Sequence, residues 1–472
     1  MGWKAYPVRV TDLRLGAAIL AGHLSASVIR AMGAGGATTV PGRAARAVVP
    51  DILERLGRRL TGGSVLITGT NGKTTTSRLL TAILAQAGLV PIHNRAGANL
   101  IAGITAALVS RSTLGGDVRG DIGVFEVDEA TLPLAAGPLR PRAVVLGNLF
   151  RDQLDRYGEI DLVADRWRGA LRSLNDGALA LYNADDPLVS DVGRETRGAW
   201  TFGIEDPTIR EGAILEHAAD ARYCYRCGIA YRYAVVYLGH LGRYQCDRCG
   251  TQRPPLTVAA EDVHLHGMAG STFTLRVPEG RVTLRTILPG LYNIYNVLAA
   301  ASTALALGMP VEAVAAALRD FVPAFGRGER ITIDGHPVTL LLAKNPAGFN
   351  EVLRTVLTGA RPIVALIAIN DLTADGRDIS WLWDVDFEML RGAARAVVVT
   401  GLRGEDMAVR LKYAGLDEGV IRLEKDEQRA IHLGLEELAA GEPLYVLPTY
   451  TAMLRIRGLL ARRGHVKGFW ED

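Results

Sequence analysis

The sequence predicts an α/β protein built in two units, the first interrupted by an insertion that carries all four cysteines. Three observations lead there. From Ser64 onward short apolar runs alternate with helical patterns, which implies a parallel sheet with helices packed on it. Residues 205–285 break that alternation: they are rich in Tyr, Arg and Cys and carry short β-like runs. After "PAFGRGERI" (Pro323–Ile331), which reads as a hinge, the alternation resumes in a final α/β unit. A chain of 472 residues is too long for one core, which agrees with more than one unit.

Taken in order, residues 1–55 hold one helix-like stretch and a linker. "RLGAAILAGHLSASVIRAMGAGG" superficially resembles a signal peptide, but it begins after Asp12 and is interrupted by His23 and Arg30, so an amphipathic helix is expected. "MGAGGATTVPGRAARAVVP" reads as a Gly/Pro-containing linker. A central unit is expected over 56–325. "SVLIT" (Ser64–Thr68) precedes a helix from about Lys73 to Gln86, and "DIGVFEVD" and "RAVVLGNLF" read as further buried strands. Helical pattern returns at "NIYNVLAAASTALALG". The last unit, 326–472, takes "VTLLLAK", "PIVALIAIN", "AARAVVVTG" and "EPLYVLP" as its strands.

The totals exclude several classes. Hydrophobic residues make up 49% and charged residues 22%, ordinary for a soluble globular protein. With 53 basic against 50 acidic residues the net charge is only +3, so nothing demands nucleic acid or an anionic surface. No run reaches the roughly 18 apolar residues of a spanning helix.

"LITGTNGKTTTSRLL" places Gly69, Thr70, Asn71, Gly72, Lys73, Thr74 and Thr75 between a strand and a helix. Small residues let backbone N–H groups approach phosphates, and the helix N-terminus adds positive potential. Lys73 would reach a terminal phosphate and Thr74 can hold Mg²⁺. The strict P-loop pattern wants Gly where Ile67 stands, so the match is partial. ATP is the expected ligand, and an ATP loop argues for a cytoplasmic chain.

All four cysteines fall in Cys224-x2-Cys227 and Cys246-x2-Cys249. This is zinc-ribbon spacing: two knuckles give four thiolates to one tetrahedral ion, with no open position for water. The zinc is therefore expected to be structural, and zinc contributes on the order of 10–16 kcal/mol to folding such knuckles. Arg222, Arg226, Arg232, Arg243 and Arg248 with interleaved Tyr raise a nucleic-acid-binding ATPase as one rival reading. Arg dominates the whole chain, however, so no nucleic-acid partner is expected.

The form T-G-T-N-G-K-T resembles the ATP loop of the Mur ligase and folylpolyglutamate synthase superfamily, and further segments follow in that family's order. "NRAGANLIAG" follows the first helix, and "FEVDEA" supplies Glu126, which resembles the family's Mg²⁺-binding acid. "NLFRDQLDRYG" resembles its N-x-x-x-D-H-x-D segment, and "GLYNIYNVLAA" puts Asn293 near adenine. "FGRGER" offers Arg327 at the interdomain ATP contact, and "LLAKNPAGF" offers Lys344 from the last domain. The resemblance implies phosphorylation of a carboxylate by ATP followed by attack of an amine. Lys73 and Lys344 would grip the transferring phosphoryl group from opposite sides of a closing cleft. Two departures count against an amino-acid-adding ligase. Gln153 stands where those enzymes carry a metal-contacting His, and no Lys between Lys73 and Lys344 can serve as their carbamylated lysine.

The Mur-type core, the late four-cysteine insertion, "NLFRDQLDRYGEID", "NDLTADGRDISWLWDVDFE" and "VLPTYTAML" resemble the MurT family, ligase subunits of lipid II isoglutaminyl synthase. That resemblance implies a Mur-ligase-type P-loop ATPase domain with an inserted zinc ribbon, followed by a Rossmann-like α/β C-terminal domain. It implies amidation of the D-Glu α-carboxyl of lipid II with ammonia from a glutaminase partner subunit (GatD-like), in peptidoglycan synthesis. It also implies peripheral contact with the inner face of the cell membrane through the lipid-linked substrate. In that family a C-terminal Asp completes the partner's Cys-His pair. Asp378 is the first choice and Asp375 the second, ahead of Asp371 and Asp384. Asp378-x-Ser380 can equally cap a helix, and Asp375-Gly376 is a turn signal. An amino-acid-adding ligase of the folylpolyglutamate synthase kind is the nearest rival.

Overall fold

The computed structural model describes residues 12–32, 38–94, 97–151, 160–196, 198–209, 220–323, 326–359 and 362–466. A nine-stranded sheet forms the centre of the first unit: β1 (Ser64–Thr68), β2 (Pro91–His93), β3 (Ile122–Glu126), β4 (Ala143–Leu146), β5 (Leu179–Asn183), β6 (Trp200–Ile204), β9 (Val258–Leu265), β10 (Ser271–Val277) and β11 (Gly280–Thr286). Its order is β2-β3-β1-β4-β5-β6-β9-β10-β11. Pairing is parallel from β2 to β9 and antiparallel from β9 to β11. β1, β3 and β4 are buried throughout, which explains their unbroken apolar runs.

β1 lies between β3 and β4, so the chain leaves the sheet's carboxyl edge there into the phosphate loop, where open α/β sheets bind ligands. The loop runs into helix Lys73–Gln86, whose Leu79, Leu80, Ile83 and Leu84 are buried. Helix Leu291–Ala306 packs on the same sheet face, and Ile294, Val297, Leu298 and Ala301 join the same core. The opposite face is covered by a second cluster that includes Leu15, Ile19, Leu53, Leu108, Phe125 and Trp167.

The expected N-terminal helix spans Leu13–Ala31 and buries Leu15, Ala18, Ile19 and Gly22 on one face, but its other face exposes Leu20, Leu24 and Val28, so it is not the amphipathic helix expected. Part of the segment read as a linker is instead helical, over Val40–Val48, and a short helix Ile52–Gly57 follows it. Pro41 is tolerated in the first turn, where its missing N–H is no loss. Gly42 is there for proximity: a Cβ would stand 1.9 Å from Ala102 O on helix Ile101–Ser110. The same Gly and Pro that resemble linker punctuation thus serve close helix packing.

The expected insertion of about 205–285 is narrower in the structure. Among the described residues, only β7 (Arg232–Leu238) and β8 (Leu241–Gln245) form a separate two-stranded sheet. β9–β11 join the main sheet, because β9 pairs in parallel with β6 and buries Val258, Ala259 and Ala260 there.

The second unit is a six-stranded sheet of order β12-β13-β17-β14-β15-β16, built from β12 (Arg327–Ile333), β13 (His336–Leu341), β14 (Ile363–Ala368), β15 (Ala394–Thr400), β16 (Ile421–Leu423) and β17 (Leu444–Pro448). β12 pairs antiparallel with β13 and the others pair parallel. Helix Pro346–Leu357 begins at the carboxyl edge of β13, and its first turn faces the phosphate loop of the other unit.

Candidate active site between the two units

The loop conformation follows from its sequence. Gly72 has φ +87°, and a Cβ there would fall 1.9 Å from Asn296 Oδ1, so both the backbone and the space require glycine. Asn148 holds the loop from the end of β4: Asn71 N–H donates to Asn148 Oδ1 at 2.9 Å, and Asn148 Nδ2–H donates to Asn71 O at 3.1 Å. Thr70 and Phe150 bond reciprocally, with Phe150 N–H donating to Thr70 Oγ1 at 3.0 Å and Thr70 Oγ1–H donating to Phe150 O at 3.1 Å.

A cavity of about 330 Å³ opens above this loop. Lys73, Thr74 and Glu126 line it from the first unit, and Arg327 and Lys344 from the second. Thr74 Oγ1–H donates to Glu126 Oε2 at 2.8 Å, so the two expected Mg²⁺ ligands are neighbours. Glu126 is 4% exposed and is held by Asn94, whose Oδ1 accepts the Glu126 N–H at 2.9 Å. Hydroxyl and carboxylate oxygens suit Mg²⁺, which keeps several waters and takes substrate phosphates as further ligands. Asp128 and Glu129 add carboxylates to the same wall.

Lys73 Nζ donates to the carbonyls of Gly69 and Thr70 and pairs with Glu129 Oε1 at 3.1 Å. Glu129 and Asn345 are site residues that sequence reasoning did not single out, although "FEVDEA" and "LLAKNPAGF" contain them. Asn345 is 2% exposed. Its Nδ2–H donates to Asn71 Oδ1 at 3.0 Å, and Asn71 Nδ2–H donates to Asn345 Oδ1 at 3.3 Å, which joins the two units across the cleft. Asn345 Oδ1 also accepts Gly348 N–H at 2.9 Å and caps the helix whose first turn faces the cavity.

A second cavity of about 90 Å³ shares Asn71, Gly72 and Arg327 with the first. Asn293 and Thr75 line it, whereas Glu126 lines the first cavity. Asn293 Nδ2–H donates to Pro289 O at 2.7 Å and its Oδ1 accepts from Asn296 Nδ2–H at 2.9 Å. Burial draws the Arg327 pKa down, opposed by Glu126, while its guanidinium stays charged. Burial pushes the neighbouring Tyr292 phenol up to about 12.

The four cysteine Sγ atoms all lie within 4.8 Å of one another, with Cys224–Cys249 at 3.5 Å and Cys227–Cys246 at 3.4 Å. A zinc–sulfur distance of about 2.3 Å puts tetrahedral sulfurs about 3.8 Å apart, so the set fits zinc. A disulfide needs about 2 Å, and all four cysteines are free. The ribbon's arginines are partly spoken for: Arg226 pairs with Asp191 at 3.1 Å, Arg232 with Asp247 at 3.0 Å and Arg243 with Glu205 at 3.2 Å.

The acids after β14 divide by environment. Asp375 is 3% exposed; its Oδ1 accepts Thr451 N–H at 2.8 Å and its Oδ2 accepts Thr451 Oγ1–H at 2.5 Å. Burial raises its pKa, and the Thr451 bonds oppose that shift. Asp378 is exposed, and its Oδ1 accepts Ser380 N–H at 2.8 Å at the start of the short 3₁₀ turn Ser380–Asp384. Asp371 is part-buried and paired with Arg403 at 2.7 Å, and Asp384 is exposed. Gln153 lies outside the described residues, as do Arg95 and Ala96 of "NRAGANLIAG".

Comparison with known proteins adds the following. The Mur ligase middle domain family matches residues 67–246, and the MurT ligase C-terminal family matches residues 342–453. The chain is 34% identical over 429 residues to the lipid II isoglutaminyl synthase (glutamine-hydrolyzing) subunit MurT of Staphylococcus aureus, covering 89% of this chain and 92% of that one. It is 32% identical over 460 residues to the subunit of the same description from Streptococcus pneumoniae, covering 97% and 99%. Among solved structures, a pseudomurein peptide ligase type C from Methanothermus fervidus aligns with TM-score 0.64 at 21% identity, over 87% of this chain and 80% of that one. The MurF ligase of Thermotoga maritima in complex with ADP aligns with TM-score 0.64 at 14% identity, over 89% and 84%. These two structures share the fold.

Proposed function

The chain belongs to the MurT family of lipid II isoglutaminyl synthase subunits, ATP-dependent ligases of peptidoglycan synthesis, and we propose that its interdomain cavity performs the amidation step. ATP phosphorylates the α-carboxylate of D-Glu in the lipid II stem peptide, leaving ADP and an acyl phosphate. Ammonia then attacks the acyl carbon, the carbon–oxygen bond to phosphate breaks, and D-isoglutamine and inorganic phosphate result.

The observation that supports this reading is the meeting of Lys73, Thr74 and Glu126 with Lys344 and Arg327 around one cavity. The loop N–H groups and the start of helix Lys73–Gln86 would bind the phosphates. Lys73 and Lys344 would place positive charge on either side of the transferring group, and Arg327 would span the phosphate and base ends of the nucleotide. Thr74 and Glu126 would hold Mg²⁺, which neutralises charge on the phosphoryl oxygens. Asn71 and Asn345 would keep the cleft shut and exclude water from the acyl phosphate.

Ammonia would come from a glutaminase partner subunit (GatD-like), since the four cysteines sit together at the proposed zinc site. Asp378 is an exposed carboxylate of the segment after β14, as Asp384 is, and its place in the "ADGRD" turn just before the aromatic pair makes it the first choice to orient the partner's His. Asp375, bonded inward to Thr451, would have to break those bonds to reach another chain. Contact with the membrane would be peripheral, through the lipid-linked substrate, at the cytoplasmic face. No helix among the described residues is long and apolar enough to cross a membrane.

Lys73→Ala tests the assignment. With ammonium supplied directly, the variant should lose ATP-dependent amidation by at least about a hundredfold. Surviving activity would remove the phosphate loop from the mechanism.

A further inference from the structure

The hairpin of the four-cysteine ribbon reaches further than a zinc staple requires. The smaller cavity beside the phosphate loop is lined by Asn71, Gly72 and Asn293 and also by Leu238 and Leu241. These leucines flank the turn that joins β7 to β8. The cysteines are at the opposite end, Cys227 before β7 and Cys246 directly after β8. At about 3.3 Å per residue, the hairpin separates the metal end from the cavity end by roughly 20 Å.

The turn is fixed into the first unit. Leu238 and Leu241 are 4% and 1% exposed, in the same core as Ile67, Phe150 and Tyr295. The His240 ring is buried 4.5 Å from the Phe150 ring, with Nε2 3.3 Å from Asp186 Oδ2. Gly242 N–H donates to Asp185 O at 2.8 Å. Phe150 in turn carries the reciprocal bonds to Thr70 of the phosphate loop. An apolar wall of this kind suits the face of a planar base and offers nothing to a phosphate.

We propose that Leu238 and Leu241, at the hairpin turn, form an apolar wall of the nucleotide-base subsite, so that the four-cysteine site governs nucleotide affinity by holding that wall in place. This rests on reading the adjoining cavity as the ATP site. The ribbon is then a ligand-binding element as well as a fold element, and its effect is confined to the base end of the ligand.

The test uses the full chain with zinc bound and two probes, ADP and inorganic tripolyphosphate, with affinity measured by calorimetry and zinc content by metal analysis. Leu241→Ala and Leu238→Ala should each weaken ADP binding about tenfold, leave tripolyphosphate binding within twofold of wild type, and retain zinc. Chelation of zinc should reproduce the same selective loss of ADP affinity. Wild-type protein that binds both probes, with both variants binding ADP unchanged, would overturn the proposal alone. Wild-type protein that binds neither probe would overturn the ATP-site reading and the proposal with it. If either alanine variant fails to fold, Leu241→Val and Leu238→Val are read by the same two outcomes, with a smaller shift for ADP.

Discussion

Thr74 and Glu126 come from different elements, a helix start and a strand end, yet their side chains meet at 2.8 Å. Residue contacts of that kind decide what the cleft can do. Lys73 Nζ is held by the Gly69 and Thr70 carbonyls and balanced by Glu129, so its charge is positioned before any substrate arrives. At the other site Asp378 is already in service as the acceptor for Ser380 N–H, as its spacing allowed, and remains exposed. Asp378→Asn should lower glutamine-driven amidation by about a thousandfold or more while ammonium-driven amidation proceeds, because only the partner's His is affected. The comparison is a pair of rate measurements on the reconstituted complex. Equal glutamine-driven rates would transfer the role elsewhere, with Asp375→Asn as the next variant. The loop residues and the cysteines were legible in the sequence because local backbone geometry and metal chemistry dictate their types. Glu129 and Asn345 were not legible, because their importance comes from what lies opposite them: Lys73 in one case and Asn71 across the cleft in the other.

Among elements, the ribbon is tied to the central sheet by a buried charge cluster. Asp185 is fully buried and takes bonds from Arg253 Nη1 at 3.0 Å, Tyr295 OH at 2.8 Å and Ile204 N–H at 2.8 Å. Burial raises the Asp185 pKa, and Arg253 opposes that shift. Asp185→Ala should therefore cost about 3–5 kcal/mol, read from chemical denaturation, because it strips a buried guanidinium of one partner. A change under about 1 kcal/mol would mean that Glu205, the other acid on Arg253, carries the pair. Cys246→Ser should release zinc and lower the unfolding temperature, measured by metal analysis and calorimetry, because four-thiolate binding energy is folding energy. A variant that keeps both zinc and the wild-type melting temperature would contradict the zinc assignment. The sequence located both cysteine knuckles yet overextended the insertion to about 285. β10 alternates buried and part-exposed residues, which looks the same whether the strand belongs to a small insertion or to the edge of a large sheet.

At the scale of the molecule, two α/β units meet around one cavity, and the alternating pattern on either side of "PAFGRGERI" announced both of them. What the pattern could not announce was how they meet. The Asn71–Asn345 pair, separated by 274 residues, depends on the orientation of whole domains. In the proposed function this assembled cleft makes an amide from a carboxylate with ATP. The most direct measurement is the mass of the lipid II stem peptide after incubation with the chain, the proposed glutaminase subunit, ATP, Mg²⁺ and glutamine, repeated with ammonium in place of glutamine and that subunit. One carboxyl should be converted to one carboxamide in both reactions, with one ATP hydrolysed to ADP and phosphate per conversion. A product carrying an added amino acid, or amidation that proceeds without ATP, would contradict the proposed function.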